Sequence, residues 1–116
     1  MDIKIIKKPI QNSELLEIAK KGFGDVVKVV VDIEQEILAL GGELHADEEV
    51  VLIEQEESTR ENTWGINIYP EKLGDDAVEF DSMINIKPHL NNRSREIESS
   101  EIKEKIRKII KKLIVV

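Results

Sequence analysis

The chain has 116 residues, 35% of them charged and 41% hydrophobic, with a net charge of −7 and no cysteine. This is enough for one domain with a single core, and the balance is globular rather than disordered. The missing cysteines exclude a disulfide framework, a zinc ribbon and a thiol nucleophile.

The charge is unevenly spread. Residues 32–81 hold 16 acids against two bases, Arg60 and Lys72, whereas residues 99–116 hold six bases against two acids. An acidic middle repels phosphate backbones and argues against general nucleic-acid binding. No apolar run reaches the roughly 18 residues needed to span a bilayer, and no signal peptide opens the chain. Together these features predict a cytoplasmic protein that does not enter membranes. Aromatic residues are only 3% of the chain, so Ile, Val and Leu must build the core. Abundant Ile, Lys and Glu give the composition a thermophile-like cast.

In chain order, "IKIIKKPI" (residues 3–10) predicts a short strand, with Ile3 and Ile5 on one face and Lys4 and Ile6 on the other. Pro9 stops it, because proline cannot donate to a ladder. "NSELLEIAKKGFG" predicts a helix capped by Asn12 or Ser13 and ended at Gly22. In residues 25–42, Val26, Val30, Ile33, Ile37 and Leu40 recur at three- and four-residue steps, and this spacing predicts an amphipathic helix ended by Gly41 and Gly42. Three strands are expected next: residues 49–56, 63–70 and 77–88. In the second, Trp64, Ile66 and Ile68 alternate with Gly65, Asn67 and Tyr69. In the third, Val78, Phe80, Ser82, Ile84 and Ile86 share one face, while Glu79, Asp81, Met83, Asn85 and Lys87 share the other. "ESTREN" and "EKLGDD" connect these strands as a predicted antiparallel meander. Residues 89–98 predict a loop. In the last segment Ile102, Ile106, Ile109, Ile110 and Leu113 form a helical stripe behind Ser99 or Ser100 as cap, with Lys111 and Lys112 at the negative end of the helix dipole. The expected fold is a single α+β domain over residues 1–116. Its order is strand-helix-helix-strand-strand-strand-helix, two layers with helices on one sheet face.

Three stretches can carry chemistry. If "ELHAD" is extended, Glu43, His45 and Asp47 project from one side, as metal ligands or as a His–carboxylate pair. The bland alternative is a solvated connector. Asn67 and Asn85 sit mid-strand, each between two isoleucines, where asparagine is a poor strand former. With Asp81 they make either a site floor or an exposed polar face. Arg93 and Arg95 can bind carboxylate or phosphate through paired N–H donors, or can pair with the protein's own acids. No phosphate loop, nucleophile elbow or paired-histidine zinc motif is present, and no metal or cofactor is assigned.

Taken together, "GGELHADEE", "WGINIYP", "EFDSMINIKP" and "NRSRE" resemble an uncharacterised family of small bacterial and archaeal proteins, known only as a domain of unknown function. The resemblance implies a stand-alone prokaryotic protein and carries no activity, cofactor or catalytic assignment. The element order is also similar to that of small ribonuclease toxins, but those are basic, as RNA cleavage demands, and this chain is acidic.

Two readings of function follow. One is a small binding or interaction module with an acidic surface and a protein partner or second copy. The other is a hydrolase-like or metal-binding enzyme in which His45 acts as base, Asp47 or Glu43 orients it, and Arg93 or Arg95 holds an anionic group. The last helix offers a direct check on the fold. Replacing Ile106 with Asp should lower the melting temperature sharply, because its stripe residues contribute roughly 1.5–3 kcal/mol each on burial. An unchanged melting curve would show that this helix does not dock.

Overall fold

A computed structural model describes residues 2–72 and 74–116; Leu73, within the expected "EKLGDD" connection, lies outside the described residues. Two short strands, β1 (Lys4–Ile6) and β2 (Ile10–Gln11), flank Pro9. Helix α1 (Asn12–Lys21) follows and ends at Gly22, as its sequence predicts. Its N-cap position is Gln11, with no side-chain cap, and the Asn12 amide instead donates to the Pro70 carbonyl at 2.9 Å.

Residues 25–42 are not a helix. They form a hairpin of β3 (Val27–Asp32) and β4 (Ile37–Leu40). The reason is a sheet covered on both faces. Val27, Val29, Val31, Leu38 and Leu40 enter one core cluster, and Val30, Ile37 and Ala39 enter another. A strand buried on both faces reads as a continuous apolar run, in which helical spacing appears by accident. The β-branched valines decide for the strand. Asp32 shapes the turn, its carboxylate accepting from the Glu34 and Gln35 amides at 2.9 and 3.1 Å. Glu36 completes the turn at φ +57°.

Residues 49–56 are likewise helical rather than extended, as part of α2 (His45–Glu56). Strand β5 (Thr63–Ile68) forms where its alternation predicts. The long strand expected over residues 77–88 shrinks to β6 (Val78–Glu79), followed by 3-10 turns at Met83–Asn85 and Pro88–Leu90. Ser82 breaks the strand by turning its hydroxyl back to accept from the Ile84 amide at 3.3 Å. Helix α3 (Ser100–Leu113) is capped by Ser99, whose hydroxyl accepts from the Ile102 amide at 3.2 Å. The short β7 (Ile114–Val115) closes the chain in parallel with β2.

The fold is α+β. The main sheet is antiparallel at every pairing, with strand order β1-β4-β3-β5-β6. Its helices do not share one face. Leu15 and Ala19 of α1 and Ile106, Ile109 and Leu113 of α3 pack on one side with Trp64, Ile66 and Ile68. Leu52 of α2 packs on the other, with Ile3, Ile5 and Ile84 against Val30 and Ala39. Three layers replace the two expected. On the α2 side of the sheet, Lys28, Val30 and Asp32 stand opposite Asn67, Gly65 and Thr63. That face is polar at both ends, and α2 lies over it.

Candidate functional site: the polar layer beneath α2 and the cleft beside α3

Helix α2 buries a stripe of His45, Glu48, Glu49 and Leu52, at positions i, i+3, i+4 and i+7. Three of these four can ionise. The helical stripe is hidden in the sequence because polar residues occupy positions that apolar ones normally fill. Glu43, His45 and Asp47 therefore do not share a side. Glu43 and Asp47 are exposed, and only His45 turns inward.

The His45 imidazole Nε2 lies 2.8 Å from the Ile66 carbonyl of β5, so Nε2–H donates to it. Burial lowers the His45 pKa; the Ile66 carbonyl opposes that, and Lys28 adds to it. The ring is thus held neutral in the fold, and stability is lost as pH falls below its ordinary 6.5. Asp81 and Arg95 also act on it electrostatically, with opposite signs.

Glu48 is fully buried. Its Oε2 accepts from the Gly42 amide at 2.9 Å, while Oε1 has no partner among the described residues. Burial pushes its carboxyl up to about 9, against the smaller opposing pull of the Gly42 amide. Glycine at 42 keeps this approach close: a Cβ there would stand 3.1 Å from Glu48 Cγ and 3.0 Å from Ile3 Cγ1, so both side chains would have to give way by a few tenths of an ångström. Farther along α2, Glu49 Oε2 accepts from the Thr63 hydroxyl at 2.6 Å and stands 4.0 Å from Lys87 Nζ. Lys87 is buried too, and its ammonium donates to the Ile84 carbonyl at 3.0 Å and lies over the Trp64 ring. Burial lowers its pKa, and Glu49 partly restores it.

Asn85 is fully buried at the open edge of β5. Strand β6 pairs only with Asn67 and Ile68, which leaves Gly65 unpaired on that side. The Asn85 Oδ1 accepts from the Gly65 amide at 2.8 Å, and its Nδ2 donates to the Gly65 carbonyl at 2.9 Å and to the Arg95 carbonyl at 3.0 Å. The side chain thus imitates a neighbouring strand. Asn92 performs a similar service for the loop: its Nδ2 donates to the Asn85 and Glu96 carbonyls at 2.7 and 2.8 Å, and its Oδ1 accepts from the Glu98 amide at 2.8 Å. Sequence reasoning missed Asn92, Glu48, Glu49 and Lys87. An asparagine in a loop carries no sign of burial, and the other three needed the helix and turns to be placed first.

Of the remaining expected residues, Asn67 donates to Glu79 Oε1 at 2.8 Å and to the Asp81 carbonyl at 3.2 Å. Asp81 pairs with Arg95, Nε to Oδ1 at 2.9 Å, on an exposed rim. Arg93 stands exposed, and its backbone amide donates to Glu98. The structure thus draws His45, Asn67, Asp81, Asn85 and Arg95 around the open edge of β5, and leaves Glu43, Asp47 and Arg93 outside that group. Among the described residues no group of three His, Asp or Glu side chains is arranged to hold a metal ion.

Among the described residues, the cavities of about 590 and 550 Å³ are not lined by this polar layer; the smaller lies between β1 and α1. The larger lies between the end of β5, the residues leading into β6, and α3, and has the more apolar lining. Ile68, Val78, Ile110 and Ile114 give it an apolar floor, and Lys72, Arg107, Lys108 and Lys111 stand around it. The chemistry-bearing cluster and the concave surface are therefore separate features, and geometry weighs more than residue type in locating a ligand.

The family match is decided by nearly the whole chain. Residues 4–113 match the model of a protein family described as DUF5674, protein of unknown function. The chain belongs to that family. No curated protein and no solved structure matches it. The DUF5674 description supplies no activity, so function must be argued from the site. No helix among the described residues is long and apolar enough to cross a membrane.

Glu48 yields a pH test. Its folded form favours the protonated acid, whereas the unfolded chain releases that proton near 4.5. Its contribution is therefore fully present below that pH and is lost progressively up to about 9. Replacing Glu48 with Gln, which keeps an oxygen for the Gly42 amide, should make the protein more stable than wild type at pH 8. The advantage should shrink toward pH 5 in urea unfolding. Parallel stability profiles would mean that Glu48 is ionised in the fold.

Proposed function

We propose that this DUF5674 member is a small binding module whose ligand enters the cleft between β5–β6 and α3, and not an enzyme built on His45. One observation carries the reading. Of the polar groups that the sequence offers for a site, His45 as base and Asn67 and Asn85 as binding groups are committed to the backbone: His45 to Ile66, Asn85 to Gly65 and Arg95, Asn67 to Asp81. A general base must reach a substrate proton within hydrogen-bond distance, directly or through one water. His45 is buried and its Nε2–H is spent on the Ile66 carbonyl, which leaves Nδ1 as its basic nitrogen, with neither Glu43 nor Asp47 turned toward it. The cleft, in contrast, falls within the 300–1,000 Å³ typical of small-molecule sites and offers an apolar floor with a few polar groups at its rim.

The hydrolase-like alternative would have to act through His45 Nδ1 without Glu43 or Asp47, both of which are exposed and turned away from it. The net charge of −7 favours solubility, and the acidic surface leaves room for a protein partner or a second copy in a prokaryotic cytoplasm. Those assignments belong to the same proposal.

A ligand that binds only the folded protein raises its melting temperature. In a thermal-shift screen of small organic acids, bases and neutral compounds, stabilising compounds should lose their effect in Ala77→Trp, which fills the cleft from its wall. They should keep it in His45→Gln, whose amide N–H can still serve Ile66. The opposite pattern, or a screen with no stabilising compound, would overturn the reading.

A further inference from the structure

We infer that the cleft beside α3 takes an amphipathic anion: an apolar body carrying a single carboxylate head. This rests on the reading of the cleft as the binding site and adds the chemical class of its ligand. The starting point is a local reversal of charge. The chain as a whole carries −7, yet among the described residues four cationic side chains, Lys72, Arg107, Lys108 and Lys111, line this cavity beside two acidic ones, Asp75 and Glu104.

Both acids are already engaged. Arg107 Nε lies 3.4 Å from Asp75, and Arg107 Nη1 lies 3.7 Å from Glu104. Lys72 rests over the Tyr69 ring at 4.6 Å. Lys108 and Lys111 are exposed and have no ion pair among the described residues. They stand three residues apart on α3, and so project from the same side of the helix. The cleft therefore keeps two adjacent uncommitted ammonium groups at its rim.

Between and below them the surface is apolar. Ile110 is half-buried on α3, and Ile68, Val78 and Ile114 form the facing wall. Such a floor recognises hydrocarbon by removing it from water, with no directional demand. A carboxylate on that hydrocarbon would meet Lys108 and Lys111 at the rim, where charge-assisted hydrogen bonds form at little desolvation cost. A cationic head would meet repulsion from the same two groups. A nucleic-acid backbone is a poor fit to a compact cleft with an apolar floor, and the acidic segment 32–81 repels it.

The test is calorimetric titration of the whole protein with decanoate, decanol and decylammonium, each below its micelle concentration, with amide chemical shifts to place the bound molecule. Decanoate should bind one to one, at least tenfold tighter than decylammonium, with shifts concentrated at Ile68, Val78 and Ile110. Reversing the two charges in Lys108→Glu/Lys111→Glu should weaken decanoate at least tenfold and reverse the preference toward decylammonium. Both positions are exposed, and unchanged circular dichroism would confirm that the double variant is folded. Equal binding of the three ligands, or decanoate affinity unmoved by charge reversal, would overturn the anionic class while leaving the cleft as an apolar binding site. Saturable binding of none of the three would overturn both.

Discussion

The structure depends on one side chain acting as a piece of strand. Strand β5 sits between β3 and the short β6, and its pairing with β6 ends at Asn67, opposite Glu79. Beyond it the Gly65 amide and carbonyl would face an open edge. Asn85 satisfies both, so a side-chain amide closes the ladder where the backbone has left it. A buried peptide group without a partner costs about 1–3 kcal/mol, and here two groups are at stake together. The arrangement demands glycine at position 65, because a Cβ there would stand 2.5 Å from Ser82 Cβ and 3.2 Å from His45 Cδ2. Gly65 thus lets α2 and the 82–85 turn close over the same point of β5.

From that point the support spreads outward. Asn85 also holds the Arg95 carbonyl, and Asn92 holds the Asn85 carbonyl. The loop through residues 92–98 is hung from two buried asparagines, and it brings Arg95 to Asp81. On the other side His45 anchors the start of α2 to Ile66, and Glu48 ties the helix back to Gly42. These polar groups occupy a layer that an ordinary α+β domain fills with hydrocarbon. Their bonds are directional, so they fix the position of α2 more narrowly than apolar contacts alone would. The cleft beside α3 lies on the opposite, hydrocarbon-packed side, where Ile106, Ile109 and Leu113 seat the helix and leave its cations outward.

What could be read from the sequence follows from this division. Helix α3 and strand β5 were legible because each has one apolar face, which gives a clean period. Helix α1 was legible from its end at Gly22, though not from its cap. The β3–β4 hairpin was misread as a helix because the sheet is covered on both faces, so valines fall at every spacing at once. Helix α2 was misread as a connector and a strand for the converse reason: its buried face carries His45, Glu48 and Glu49, and a hydrophobic pattern does not register them. The expected long strand failed at Ser82, whose hydroxyl prefers a turn. For the candidate site, the sequence points to His45, Asn67, Asp81, Asn85 and Arg95 without showing whether they lie together, and the structure gathers them along the edge of β5. Pattern alone could not show that Asn85 serves β5 rather than a ligand. The cleft was missed, although the six bases in residues 99–116 of an acidic chain were its visible trace.

The central claim is that the polar layer under α2 is scaffolding, with Asn85 as its keystone. The most direct measurement is native-state hydrogen exchange of the Gly65 amide, with urea unfolding, in wild type and in Asn85→Ala. The account predicts a Gly65 amide in wild type that exchanges only through global unfolding. In the variant it predicts a loss of about 2 kcal/mol or more, as the two Gly65 backbone groups lose their partner while the Arg95 carbonyl keeps the Ser82 amide. A variant that keeps wild-type stability and a protected Gly65 amide would contradict it.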